Sequence, residues 1–406
     1  MLIGFETLGV ETGLWYMIKR QDQSAADAAA IAAAHEIIAG KTDLADDLIP
    51  AASAAAEHNG YAGTAPQIVY PYGDSVAANA VAVFLQRSER VLGSNFLPTV
   101  TIASKAVAVL GVLDDVCVLA LSTTGTGVEV DSASHLDATG CAVAANSTSG
   151  NAIDIRSQTG SLSASTLVTP GQISLHGNPI DPAAQPPEFS PTPRTLIGAP
   201  SIPNPYANTL THAFLRNQMT TAAVNVWSAE ITTIVPGRYN QGISVQPPGI
   251  DLKPGVYYVT GGGFSIASGA AVTCTACGGG NGVTIVLTSA DDGAGSVGNF
   301  QIMPGAIVTL RAPSSGTFSG LLLIQDPLAG ENTADSVLTG GSTMTLTGLL
   351  YFPATAVRFQ GNLDATCALL IASRVGTNGS VRFATSGCAG AGLGNRPEVY
   401  TVALVE

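Results

Sequence analysis

Three pentapeptides in the C-terminal half of the chain, Gly269-Ala-Ala-Val-Thr273, Gly305-Ala-Ile-Val-Thr309 and Gly341-Ser-Thr-Met-Thr345, recur 36 residues apart. A weaker fourth copy, Gly379-Ser-Val-Arg-Phe383, follows 38 residues further on. Strongly apolar runs separate the copies: Val283-Thr-Ile-Val-Leu287, Leu321-Leu-Leu-Ile324 and Leu349-Leu-Tyr-Phe352. Each repeat thus supplies one polar-flanked strand and one wholly apolar strand. A unit of this size cannot bury its apolar strand alone, so units must stack. Pro-Gly turns at 236–237, 254–255 and 304–305 precede strands. The expected fold of residues 212–406 is a parallel β-helix, taken to be right-handed.

The same logic extends upstream. From residue 116 to 178 short β runs such as Cys117-Val-Leu-Ala-Leu121, Gly127-Val-Glu-Val130 and Ile153-Asp-Ile155 recur every 10 to 14 residues. Ser, Thr, Gly and Asn fill the gaps, which predicts a first solenoid segment. Residues 179–211 break the pattern, with nine prolines by residue 205. A stretch that lacks so many N–H donors cannot join a central sheet. It reads as an extended excursion or linker, and Phe189 and Tyr206 suggest that it lies against the body.

The N-terminal part differs in period. Residues 25–34 are nearly all Ala, the strongest helix former. Two helices are expected, over about 20–39 and 43–57, with a dip at Gly40 and a stop at His58-Asn-Gly60. Residues 1–60 then form a helical anchor. Residues 1–18 are apolar apart from Glu6, Glu11 and small residues. Eighteen helical residues span roughly 27 Å, short of a hydrocarbon core of about 30 Å. Residues 61–115 carry three strand-like runs, at 67–70, 80–85 and 99–108, and predict a small antiparallel sheet. Residues 87–90 (RSER) read as an exposed turn.

Charge and cysteine usage narrow the function. Only 11% of the 406 residues are charged, 46% are hydrophobic and the formal net charge is −13. Few Lys or Arg cluster, which argues against nucleic acid as a partner. The six cysteines fall into three local pairs: Cys117 with Cys141, Cys274 with Cys277, and Cys367 with Cys388. An even count in a low-charge chain that reads as exported favours disulfides. Cys274-Thr-Ala-Cys277 could be half of a zinc or redox site, but no second CxxC or His pair accompanies it. A small turn staple or a pair of buried thiols is the better reading, and no metal or cofactor is expected.

Residues 15–34 (WYMIKRQDQSAADAAAIAAA), with an aromatic pair, a basic pair and a Gln-x-x-x-Asp-Ala-Ala run, resemble the membrane-proximal signature of TadE/TadG-like proteins. That family belongs to the Flp (Tad) pilus-assembly system. Further fragments are similar: Val100-Thr-Ile-Ala-Ser-Lys-Ala-Val107, Pro254-Gly-Val-Tyr-Tyr258, Gly348-Leu-Leu-Tyr-Phe-Pro353 and Leu404-Val-Glu406. The resemblance implies a pilin-like helix and small sheet carrying an exported β body, with no catalytic activity. It implies an anchor in the inner membrane of a bacterial cell envelope, with the β body periplasmic or extracellular. Pilin or other pilus-assembly subunits are the implied partners, with a surface or glycan as a further contact.

Glu6, Glu11, Trp15, Tyr16, Lys19 and Arg20 are the residues the resemblance places at the membrane or assembly contact. Family members begin with an Arg-rich leader and a longer apolar run, so the resemblance also implies an N-terminal truncation. Lys19-Arg20 alone would stay cytoplasmic under the positive-inside rule. Asp131-Ser-Ala-Ser-His135 imitates the D-x-S-x-S metal motif of some relatives but lacks its serines, and no metal site is expected there.

Two rival functions follow from the β body: a secreted adhesin, or a carbohydrate-binding or carbohydrate-processing protein. Enzyme candidates are Asp291, Asp292, Asp326, Glu331 and Asp335 with Arg311 and Arg358, but the second β block holds one Lys and, after His212, no His. No His stands in a catalytic motif, so no enzyme is expected. A flat ligand face would need the threonines of Thr343-Met-Thr-Leu-Thr347 to recur on successive strands, since alternate residues share a face.

Overall fold

The computed structural model describes residues 2–73, 79–90, 99–131, 133–157, 159–181, 186–291, 293, 297–330, 333–339, 343–364, 367–385, 388, 390–394 and 396–405. Within them, the side chains of residues 2–9, 343 and 364 lie outside the description. The protein is mainly β, with a long N-terminal helix and a large parallel sheet. It forms two compact units: Met1–Leu113 with Tyr400–Glu406, and Asp114–Val399.

In the first unit, helix α1 (Leu2–Ile38) runs unbroken through the alanine-rich stretch. Gly40 ends it in the left-handed region at φ 80°, a conformation open to a residue without Cβ. A single π turn, Leu44–Leu48, leads into helix α2 (Ile49–His58), which places Pro50 in its first turn. Asp43 caps the entry by accepting from the N–H groups of Ala45 and Asp46 at 2.8 and 2.9 Å.

Ala25, Ala26, Ala29, Ala30, Ala33 and Ala34 are all fully buried. They pack with Ala52 and Ala56 of α2 and with Val81, Val83, Leu85, Ala106, Ala108 and Leu110 of the sheet. The small side chains let the helix backbone come close to its neighbours. The sheet is antiparallel: Gln67–Val69 pairs with Ala80–Glu89, which pairs with Val100–Ala120. The expected turn at 87–90 is instead the end of a strand. Arg87 is held there by ion pairs to Glu89 and, at 3.6 Å, to Asp22 of α1.

The second unit is built mainly from parallel ladders in which most strands skip their sequence neighbour. Ser336–Thr339 with Thr343–Gln360, and Ile173–Leu175 with Asn178–Pro179, are neighbours that do pair, the latter antiparallel. One ladder runs through Gly237, Tyr257, Ile285, Leu323, Leu350, Leu370, Val118, Val143 and Leu167. A second runs through Ile266, Ile302, Leu338, Phe359, Thr377, Val130, Ile155 and Leu175. A third runs through Ile250, Val272, Val308 and Met344. All these apolar positions but Leu175 are buried, each such Leu or Ile contributing roughly 1.5–3 kcal/mol. In the first ladder the strands Val283–Leu287 and Leu321–Gln325 are buried on both faces, as parallel strands require when both sides are covered.

The 36-residue repeat is the register of the third ladder: Ala271 pairs with Ile307, and Ile307 with Thr343. The fourth copy falls outside that register. Ser380–Arg382 pairs with Leu363–Asp364 on one side and with His135–Asp137 on the other. The Pro-Gly expectation holds at all three pairs: Gly237 (φ 148°) and Gly255 (φ 141°) start their strands, and the Pro304-Gly305 turn precedes Ile307–Arg311. A Cβ on Gly255 would lie 2.3 Å from the Pro236 ring, so the position needs glycine for space as well as for φ.

Chain order and sheet order differ. Strand Cys367–Asn378 pairs with residues 118–120 and 128–130, so the later block leads into the earlier one. The sheet is therefore entered at its middle. After Arg194–Ile197, which pairs with residues 166–169, the chain must return to Val224–Asn225, which pairs with residues 238 and 239. Residues 198–223 make that return, as a strap over 198–211 followed by a helix, His212–Thr220, so the block expected to be β from residue 212 opens with a helix. Asn146 exchanges two hydrogen bonds of 2.8 Å with Ile202, Asn204 Nδ2 donates to the Tyr351 hydroxyl at 2.9 Å, and the Tyr206 ring meets Tyr351 edge-on at 5.7 Å. Among its described residues, the proline-rich stretch is held to the body at Phe189, at Arg194–Ile197 and at Ile202, Asn204 and Tyr206.

Candidate functional site

The signature block of α1 has two characters. Its C-terminal part is bolted to the first unit. Lys19 Nζ donates to the Ala103 carbonyl and, at 3.1 Å, to Ser104 Oγ; Gln21 Nε2 donates to the Gly60 carbonyl at 3.1 Å. Gln23 Nε2 donates to Asp27 Oδ1 at 3.0 Å and to the Lys105 carbonyl at 2.8 Å, which gives the Gln-x-x-x-Asp spacing a direct structural reason. Asp22 is buried beside Arg87. Burial raises its pKa above the ordinary carboxylate value, with Arg87 and Lys19 opposing the rise.

The preceding turns present apolar groups outward. Val10, Tyr16 and Met17 are 64%, 69% and 69% exposed, and Leu14 is exposed with them. Trp15 is half-buried and Arg20 exposed. Glu11 is buried, and its Oε1 has no hydrogen-bond partner among the described residues. The Glu6 side chain lies outside the described residues. Lys19, placed by sequence at the assembly contact, is engaged with the sheet of its own unit. No helix among the described residues is long and apolar enough to cross a membrane.

All three cysteine pairs are disulfides: Cys117–Cys141, Cys274–Cys277 and Cys367–Cys388. The short Cys274–Cys277 loop carries Thr275, whose N–H and hydroxyl donate to Asp251 at 2.7 and 2.9 Å. Burial would raise the Asp251 pKa, but these bonds and Lys253 outweigh it and hold the carboxyl below the ordinary range.

Two constellations in the second unit were not legible as motifs. His212 Nδ1 lies 2.7 Å from Oδ2 of the fully buried Asp326, which also accepts from Thr288 Oγ1 at 2.5 Å and from the Leu328 N–H at 2.8 Å. The pair ties the end of the strap to the sheet, and only three-dimensional folding brings residues so distant in sequence together. Burial raises the Tyr351 pKa, the Asn204 hydrogen bond opposes the rise, and the charge on Asp326 adds to it.

Asp335 and Arg358, both enzyme candidates, also meet, at 3.0 Å. Around them lies a polar groove with Glu129, Arg156, Arg374 and Gly376. Of the other candidates, Asp291 accepts within its own turn from Ser289 Oγ and the Gly293 N–H, while Asp292 and Glu331 lie outside the described residues. Arg311 is exposed and pairs in register with Thr347. Thr273, Thr309 and Thr345 do recur on successive strands, but the neighbouring row reads Ala271, Ile307 and Thr343, so the threonine face is one row wide.

No family model, curated protein or solved structure matches this chain.

Proposed function

We propose that the chain is a non-catalytic, membrane-anchored structural or assembly component of a Flp/Tad-type pilus or secretion apparatus. In this reading its parallel unit is a right-handed β-helix that presents a body for protein or surface contact. The observation that carries the proposal is the division within α1. Residues 19–34 are sealed to the sheet by alanines and side-chain amides, whereas Val10, Leu14, Tyr16 and Met17 face outward. A helix that is half packed and half presented suits a subunit that inserts its free part among lipids or neighbouring helices. Glu11 would take a basic group of a neighbouring subunit there, because its buried Oε1 has no hydrogen-bond partner among the described residues and such an oxygen is costly.

The β-helix reading is supported by the three ladders and by the strap that returns along them. A body of this kind offers long rows of in-register side chains to a partner. Expression of the native gene in its host, followed by membrane fractionation and protease protection, tests the proposal. Membrane recovery with a protease-accessible β unit on the outer side is the expected result. Recovery entirely in the soluble secreted fraction overturns it.

A further inference from the structure

One outward row of the second ladder reads Val337, Arg358, Gly376, Glu129, Asp154 in register across successive strands. Gly376 leaves that row without a side chain between a guanidinium and a carboxylate. Two cavities adjoin over it, of about 250 and 220 Å³, and both are bounded by Arg358, Gly376 and Glu129. Together they reach the size of small-ligand sites, about 300–1,000 Å³.

The two halves of the groove differ chemically. Gln360, Asn378 and Asp131 line one half, where amide and carboxylate groups suit hydroxyls. Arg374 lines the other half with Asp335 and Arg156. Ion pairs orient the walls in advance: Arg358 to Asp335 at 3.0 Å, and Arg156 to Glu129 at 2.7 Å and Asp154 at 3.4 Å. Arg374 is exposed and has no ion pair among the described residues. Arg358 and Arg156 are already paired to wall carboxylates, which leaves Arg374 for an anionic group, and Phe359, the one aromatic among the described lining residues, is buried and offers no face to an apolar ligand.

We propose that this groove binds a short acidic oligosaccharide, with hydroxyls on Glu129, Asp131, Gln360 and Asn378 and one sugar carboxylate on Arg374. Arg suits that role because its planar donors match a carboxylate in a two-bond geometry. The site is independent of the anchoring reading and stands whether or not the chain is held in a membrane.

Isothermal titration of the purified full chain with a galacturonate trisaccharide, sialyllactose and maltotriose tests it. Saturable binding of an acidic probe is expected, with maltotriose at least tenfold weaker. Arg374→Gln and Gly376→Leu should each weaken the acidic probe at least tenfold. A Cβ at Gly376 meets only Arg358, at 3.6 Å, so the second variant fills the groove without disturbing the strand. Unchanged thermal unfolding of both variants confirms that the fold is intact. Binding of neither acidic probe, equal binding of maltotriose, or affinity unchanged in both variants overturns the proposal.

Discussion

Leu370 pairs in parallel with Val118, a residue that precedes it by more than half of the chain. This contact joins the two β blocks into one sheet and requires the strap of residues 198–211. The strap is fixed by Asn204 and Tyr206 and, just past its end, by His212; their partners Tyr351 and Asp326 belong to the later block.

Asp326→Asn is expected to destabilise the second unit by about 2–3 kcal/mol, because the buried carboxylate holds three donors and an amide cannot satisfy them all. Urea unfolding followed by tyrosine fluorescence measures the loss, and a midpoint equal to the parent's refutes it.

Ala30→Leu forces three more carbons into a helix face with no exposed surface. Overpacking of this kind costs about 1–3 kcal/mol. The substitution should lower the unfolding midpoint, whereas Arg20→Gln on the exposed face should leave it unchanged.

Two carboxylates should respond to pH with opposite signs. Burial raises the Asp22 pKa, so the native state favours the neutral acid and loses stability as pH rises through the window above 3.8. Asp22→Asn should therefore raise Tm at pH 7, and the gain should vanish below pH 3.8. The Asp251 pKa is lowered, so its stabilisation is full above 3.8 and fades as pH falls through the depressed native value. Asp251→Asn should reduce stability at pH 7 by less than about 1 kcal/mol after solvent screening, seen as a lower Tm, and the deficit should close in acid. Tm profiles from pH 2 to 8 check both signs.

The three disulfides predict no alkylated thiols without reductant and six with it, read as a mass shift of the denatured protein. Cys367→Ser with Cys388→Ser opens a loop of 21 residues and should cost about 2–4 kcal/mol. The Cys274–Cys277 pair spans only 3 residues, so its removal should cost less.

The legible features were those written locally. Equal spacing of Gly269, Gly305 and Gly341 carried the register because one ladder repeats at constant length. The alanine run, the Gly40 stop and the cysteine pairs likewise act over short separations. The order of the β blocks was not legible, since nothing near Val118 states that its partner is Leu370. The groove is hidden for the same reason: Glu129 comes from a strand in the earlier block and Asp335, Arg358 and Arg374 from the later one, and Gly376 contributes through the side chain it lacks. At residues 87–90 the charge density suggests a turn, but Arg87, Ser88 and Glu89 pair with Ile102, Thr101 and Val100, partners that no local pattern announces.

The mid-sheet entry of the chain has a mechanical consequence. The strand that enters the second unit at Asp114 is flanked on both sides, by residues 370–372 and by residues 142–145. The segment that leaves it runs beside this strand, with the Val116 N–H donating to the Pro397 carbonyl at 2.9 Å. Tension applied through the connecting segments would load two parallel ladders at once in shear. An edge strand could be peeled one hydrogen bond at a time; this one must break its neighbours together, so the attachment point is also the part of the sheet hardest to unzip.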